Sequence, residues 1–367
     1  MFKKILALAL VLSMALFMVP AQAEEAESTF PAIAKEDLKI GMIYVGDTSD
    51  GGYNYVHDSA LMQAVEELGM SEDQVIKKTN VAEDASCETA LRELVEAGCQ
   101  IIFADSFGHM YYMEPIAEEY PDVIFSHCSG YINNGVNMNN YFGRIYEPRF
   151  LSGLAAGLRT QTNKIGYVSA MDNPECNGGI DAFTLGVRTV NPDATVYVKY
   201  TNTWYDPTIE RQTADALIDM GCDVIAQHQD STMPQVAAQE KGVWGCGYNA
   251  DMTAAAPDAH LCAPIWNWSV VYKTELENVI NGTWKCENYY LGMQEGMVGL
   301  SELTKNCVEG TQEVVDEWTA KIMDGSFDVF DGEIKDNTGA VRVAEGERLT
   351  DAEITSIDWL VEGVVVA

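Results

Sequence analysis

The same joint is written twice in this chain. Glu93-Leu-Val-Glu-Ala-Gly-Cys99-Gln-Ile-Ile-Phe103 and Ala216-Leu-Ile-Asp-Met-Gly-Cys222-Asp-Val-Ile-Ala226 each read as a helix end, a glycine that turns out of it, and a buried strand. Around these joints short apolar runs alternate with helical periods. Strands are expected at 39–45, 101–104, 123–127, 164–169, 194–200, 223–226, 243–247 and 261–263, and helices at 54–68, 88–97, 148–159, 207–220 and 270–280. Such alternation predicts an α/β fold with parallel sheets wound by crossovers of one hand. The repeated joint makes it two doubly wound lobes of similar topology, with a ligand cleft between them.

The first 23 residues carry Lys3 and Lys4, an apolar run from Ile5 to Val19, and then Pro20-Ala-Gln-Ala23. They read as a secretory leader cut after Ala23. The run is short for a membrane span, and Glu24, Glu25 and Glu27 follow it at once. No cysteine stands at the cut, so a lipid anchor is not expected. The remainder is read as exported to the periplasm or the outside, with 24–37 as a linker. The formal net charge is −34, and loss of a leader that holds two lysines makes the rest more acidic. Such a surface repels nucleic acid and anionic membranes and suits a neutral or cationic small ligand.

Nine cysteines occur, none as C-x-x-C and none at zinc-finger spacing from a histidine. Several sit in strand patterns, where cysteine packs as a small hydrophobe. The odd count argues against a full disulfide framework and leaves one or two bridges open. P-loop, G-x-S-x-G and H-E-x-x-H motifs are missing, so no cofactor, metal or catalytic residue is expected.

The densest chemistry lies between Gly46 and Asp58, a strand-to-helix turn reading Gly-Asp-Thr-Ser-Asp-Gly-Gly-Tyr-Asn-Tyr-Val-His-Asp. In α/β sheets such turns lie at the carboxyl ends of the strands, where ligands bind. Tyr53 offers a stacking face, Asn54 a bidentate hydrogen-bonding edge, and His57 a further polar contact. Other strand ends supply Asp105, Gln229 with Asp230, and Asn249 with Asp251. In an extended segment Trp266 and Trp268 share one face and Asn267 the other, so these three are candidates near the crossing between lobes. Trp204, just before Asp206-Pro207, is the candidate second stacking wall.

Several stretches in order resemble the basic membrane protein (BMP) family of ABC-transporter substrate-binding proteins. They are the 47–58 turn; Tyr141-Phe-Gly-Arg-Ile-Tyr-Glu-Pro-Arg-Phe-Leu-Ser-Gly-Leu-Ala-Ala-Gly157; Asn191-Pro-Asp-Ala-Thr195; Thr201-Asn-Thr-Trp-Tyr-Asp-Pro207; Gly242-Val-Trp-Gly-Cys-Gly-Tyr-Asn-Ala-Asp251; and Trp359-Leu-Val-Glu-Gly-Val364. The resemblance implies a type I periplasmic-binding-protein fold with a multi-crossing hinge and a partner permease in the membrane. It implies lobes at 38–143 plus about 264–295 and at 144–263 plus about 296–367, with the chain acting as a monomer. In nucleoside-binding members two aromatics sandwich a purine, and their positions fall on Tyr53 and Trp204. The ribose-holding Asp and Lys of those members are replaced here by Asn249 and the Trp266-Asn267-Trp268 stretch. That departure favours a bare nucleobase over a nucleoside. The expected function is capture and delivery of a purine-type base, with a sensory receptor and, more remotely, a nucleoside hydrolase as rivals.

Overall fold

The computed structural model describes residues 30–367, so the expected leader lies outside the described residues. The first lobe opens with β1 (Ile40–Ile43), α1 (Tyr53–Glu67), β2 (Val75–Lys78), α2 (Ala85–Glu96), β3 (Ile101–Ala104), α3 (Met110–Glu119), β4 (Ile124–Cys128) and β5 (Met138–Gly143). The chain then enters the second lobe through α4 (Tyr146–Arg159), β6 (Lys164–Ser169), α5 (Pro174–Val190), β7 (Thr195–Tyr200), α6 (Pro207–Asp219), β8 (Val224–His228), α7 (Met233–Lys241), β9 (Trp244–Cys246) and β10 (His260–Cys262). It returns through β11 (Pro264–Trp266), α8 (Ser269–Asn281) and β12 (Tyr289–Leu291), and crosses again into β13 (Val298–Leu300) and α9 (Thr311–Met323). The remainder forms β14 (Ile334–Lys335), β15 (Val341–Val343), α10 (Asp351–Ile354) and β16 (Val364–Val366).

Two six-stranded sheets result, in the orders β12-β5-β4-β3-β1-β2 and β10-β9-β8-β6-β7-β16. Every neighbouring pair in both is parallel. Each lobe reverses its strand order beside its first strand, β1 or β6, which creates the crevice at the carboxyl ends where ligands sit. The antiparallel pair β11–β13 belongs to the crossing segments.

The repeated joint occupies equivalent places. Gly98 (φ +87°) leads α2 into β3, and Gly221 (φ +92°) leads α6 into β8, a left-handed conformation that glycine adopts without a Cβ penalty. In each lobe a lysine at the start of the first strand closes the end of that helix. Lys39 Nζ donates to the Ala97 carbonyl at 3.2 Å, and Lys164 Nζ to the Met220 carbonyl at 3.3 Å. Both place a cation at the negative end of a helix dipole.

Helix α5 carries no clear helical period in the sequence, because Gly178, Gly179 and Gly186 weaken its propensity. Packing explains at least one of them. A Cβ on Gly186 would collide with the Phe150 carbonyl, and one on Gly153 of α4 with the Phe183 carbonyl, so the two helices meet backbone to backbone. All nine cysteines are free thiols, seven of them buried.

Between α8 and the first sheet lies a buried carboxyl, Glu275. Trp284 Nε1 donates to it at 2.6 Å and Asn139 Nδ2 at 3.0 Å, yet burial pushes its pKa from 4.5 up to about 7. The neutral form is therefore favoured by folding. Its contribution is fully present below pH 4.5 and is lost as the pH rises through about 7. Chemical denaturation of the parent protein and of Glu275→Gln across this window should show the parent losing about 3 kcal/mol more than the variant. Parallel pH profiles would refute the assignment.

Candidate functional site

The strand ends of the two sheets converge on a narrow space between the lobes. From the first lobe, Val45, Tyr53, Ser106, Phe107 and Ser129 line it; from the second, Glu175, Trp204, His228, Asp230 and Tyr248. Tyr53 is the first residue of α1. Asp50 anchors that helix start by accepting from the backbone N–H groups of Gly52, Asn54 and Tyr55 at 2.9, 2.9 and 3.0 Å. A carboxylate there also meets the positive end of the helix dipole.

The Tyr53 hydroxyl donates to the Asp105 carbonyl at 2.5 Å and lies 3.3 Å from Cys128 Sγ. The Asp105 carboxyl in turn accepts from the Val45 N–H at 2.9 Å, so one buried residue holds two wall elements, Tyr53 through its backbone carbonyl and Val45 through its side chain. Burial drives the Asp105 carboxyl well above its ordinary range. On the far side, Trp204, His228 and Tyr248 form an aromatic wall. The Trp204 and His228 ring centroids are 6.2 Å apart, and His228 meets Tyr248 edge-on at 4.6 Å. The Asp230 N–H donates to the Trp204 carbonyl at 3.3 Å, tying the loop after β7 to the end of β8. Burial, with Asp50 and Glu210 nearby, raises the Asp230 pKa, while Asn249 Nδ2 donates to it at 3.0 Å.

Glu175 joins the walls. Ser129 Oγ donates to its Oε2 at 2.7 Å across the cleft, and its Oε1 lies 3.6 Å from His228 Nε2. Burial, and then the nearby Arg149, lower the His228 pKa to about 4, so its imidazole is neutral at physiological pH with one donor and one acceptor nitrogen. Its Nδ1 is buried without a partner. Ser129 and Asn249 hold left-handed backbone angles (φ 65° and 69°), strain of a kind that gathers at functional sites.

Of the residues singled out from sequence, Tyr53, Trp204 and Asp230 line this space. Asn54 is spent on the turn itself: its Oδ1 accepts from Gly46 N–H at 2.9 Å and its Nδ2 donates to Asp50 at 2.8 Å. His57 is fully buried behind Tyr53, with Nδ1 2.5 Å from the Tyr272 hydroxyl. Its ring stacks on Trp268 at 4.2 Å, and Trp268 stacks on Trp266 at 4.2 Å. Trp266 and Trp268 do share a face, but it is the packed interior of the crossing, where Trp266 Nε1 donates to the Tyr248 hydroxyl at 3.2 Å. Gln229 Nε2 donates to Thr201 Oγ1 at 2.5 Å and braces the Trp204 loop. Asp105 and Asn249 likewise stand behind lining residues. Asp251 is exposed, accepting from the Thr253 N–H at 2.9 Å, and Asn267 is exposed, donating to the Gly296 carbonyl at 3.0 Å; neither reaches the space.

Sequence reasoning missed Glu175, Ser129, Val45 and the inward aromatic Tyr248. Glu175 left one signal, the Asn173-Pro174 helix start, where Asn173 Oδ1 accepts from the Cys176 N–H at 3.0 Å. Among the described residues no three His, Cys, Asp or Glu side chains are grouped to hold a metal ion, and no helix is long and apolar enough to cross a membrane.

Residues 37–330 match the profile of the Bmp family, described as ABC transporter substrate-binding protein PnrA-like. The chain belongs to this family. A purine-binding protein of Brucella abortus is 37% identical over 333 residues, covering 91% of this chain and 94% of that one. A Haloferax volcanii protein described as a candidate glucose-binding protein of an ABC transporter is also 37% identical, over 90% of this chain and 82% of its own. Among solved structures, a solute-binding protein from Aeropyrum pernix superposes with a TM-score of 0.69 at 20% identity, over 82% of this chain and 93% of that one. Another from Conexibacter woesei gives 0.65 at 20% identity, over 79% and 98%. These likenesses share the two-lobed type I periplasmic-binding fold. The Bmp chain is thus an extracytoplasmic solute-binding protein built to meet a small molecule and a membrane permease.

At one point the two lobes of this Bmp protein touch through bare backbone. A Cβ on Gly52, directly before Tyr53, would collide with the Asp230 carbonyl oxygen in the opposite lobe. Two main chains meet there, and neither has a flexible end to yield. Gly52→Ala should therefore hold the lobes apart, giving a larger radius of gyration by small-angle X-ray scattering with little loss of melting temperature. A scattering curve identical to the parent's would remove this contact as the limit on closure.

Proposed function

We propose that this protein captures a purine-type base between Tyr53 and Trp204 and hands it to the permease of an ABC importer. The observation that carries the reading is the pairing of aromatic walls from opposite lobes with two carboxyl groups, the buried Asp230 and the half-buried Glu175, on the same small space. A flat heterocycle gains burial plus roughly 0.5–1.5 kcal/mol for each well-placed ring pair. Its N–H groups suit carboxyl oxygens, and the neutral His228 can answer either a donor or an acceptor. The Brucella relative's name supports the same ligand class. We place the working protein outside the cytoplasm after removal of a leader at Ala23, which amino-terminal sequencing of secreted material checks.

The mechanism is differential affinity for two states. With the lobes apart the ligand meets one wall; with them together it meets both, so it stabilises the closed form that the permease receives. Asp105 and Asn54 keep Tyr53 in place, and Gln229 and Asp230 keep Trp204 in place, so closure needs little side-chain rearrangement.

Glucose is the second reading, favoured by the name of the Haloferax relative. Titration calorimetry with adenine, guanine, hypoxanthine, xanthine, adenosine and glucose separates the two. A base should bind at micromolar Kd or tighter, about −8 kcal/mol. Tyr53→Ala and Trp204→Ala should each weaken that base at least tenfold, whereas Tyr53→Phe, which keeps the ring, should cost much less. Binding of glucose alone, or no effect of either alanine, would overturn the base reading.

A further inference from the structure

A second and larger cavity, of about 340 Å³, adjoins the narrow one and shares Phe107, Ser129 and Glu175 with it. The two are therefore neighbouring chambers around one interlobe bond, Ser129 to Glu175. Their chemistry differs. The larger chamber is walled by Phe142, Ile145, Tyr146, Tyr290 and Ile354, and among the described residues Glu175 is its only charged member. Nor does any amide side chain among the described residues line it. The Tyr146 hydroxyl already accepts from Arg144 Nη1 at 3.1 Å. Other hydroxyls of the lining are likewise engaged, Ser129 with Glu175, Thr355 with the Asp351 carbonyl at 2.9 Å and Ser356 with the Ala352 carbonyl at 2.6 Å. A sugar there would therefore lose water with few free partners in return, whereas apolar surface would gain by burial.

Glycine keeps the chamber open. Gly178 and Gly179 present bare backbone from the first turns of α5. A Cβ on Gly179 would press on Arg149 Cδ at 2.9 Å, but at Gly178 the nearest atom, Ile357 Cδ1, stands 3.8 Å away. Nothing in the packing of α5 excludes a side chain at Gly178, which lines the larger chamber and not the narrow one.

We propose that the ligand is a heterocycle carrying an apolar substituent, the ring held in the narrow space and the substituent housed in the chamber beyond Glu175. This rests on the reading of the narrow space as the ring site. Where the unsubstituted base uses only one chamber, the substituted base fills both, and burial of even a few methylene equivalents makes it at least tenfold tighter.

Calorimetry on the full mature protein with hypoxanthine, adenine, N6-benzyladenine and 9-benzyladenine tests this. At least one benzyl derivative should bind ten times or more tightly than either unsubstituted base. Gly178→Leu should erase that gain while leaving the unsubstituted base unchanged. Thr355→Trp, which fills the same chamber from its mouth, should do likewise and guards against a folding defect in the helix variant. If the bases bind and neither benzyl derivative gains, the chamber proposal fails and the base reading stands. If a gain survives both filling substitutions, the substituent lies elsewhere and the proposal also fails. If none of the four compounds binds, both fall.

Discussion

A column of stacked rings through the crossing between lobes sets the terms for the rest of the molecule. Trp266, Trp268 and His57 lie face on face, Tyr53 meets His57 edge-on at 4.5 Å, and Trp266 reaches the Tyr248 hydroxyl. One end of this column is therefore a wall of the first lobe and the other a wall of the second. Each ring pair adds roughly 0.5–1.5 kcal/mol to what burial supplies, and the rotamers lock one another in a close-packed interior. The side chains of the crossing thus carry one packed surface from the wall of one lobe to the wall of the other.

Around that column the same lobe is assembled twice by the same local devices. A lysine at the first strand, a left-handed glycine after the second crossover helix, and a cysteine entering the third strand recur at Lys39, Gly98, Cys99 and at Lys164, Gly221, Cys222. Both lobes thus direct the same set of strand ends toward one crevice. The second lobe then departs from the first: α4 and α5 meet through Gly153 and Gly186, and that close approach accompanies the glycine-rich start of α5 beside the cleft.

Local patterns were readable wherever a residue's role is decided by its own neighbours. The strands 101–104 and 164–169 fall as periodicity placed them, and the turn before α1 does lie at the cleft. Roles decided by distant partners were not readable. His57 owes its burial to Tyr272 and Trp268, more than 200 residues along the chain, and nothing around position 57 announces them. Asn54 has the donors and acceptor of an edge reader, but Asp50 and Gly46 engage both ends of its amide. Glu175 stayed hidden because Asn173-Pro-Glu-Cys-Asn-Gly-Gly179 has the composition of a loop; only the backbone contacts of α5 make it a helix.

The bond from Ser129 to Glu175 has a consequence for the balance between open and shut. It joins the lobes through side chains of the protein itself, so the shut form holds a favourable contact before any guest adds its own. A bond of this kind contributes about 1 kcal/mol, so it tilts the balance toward the shut form by a factor of about five, and a guest's own contacts with both walls must supply the rest.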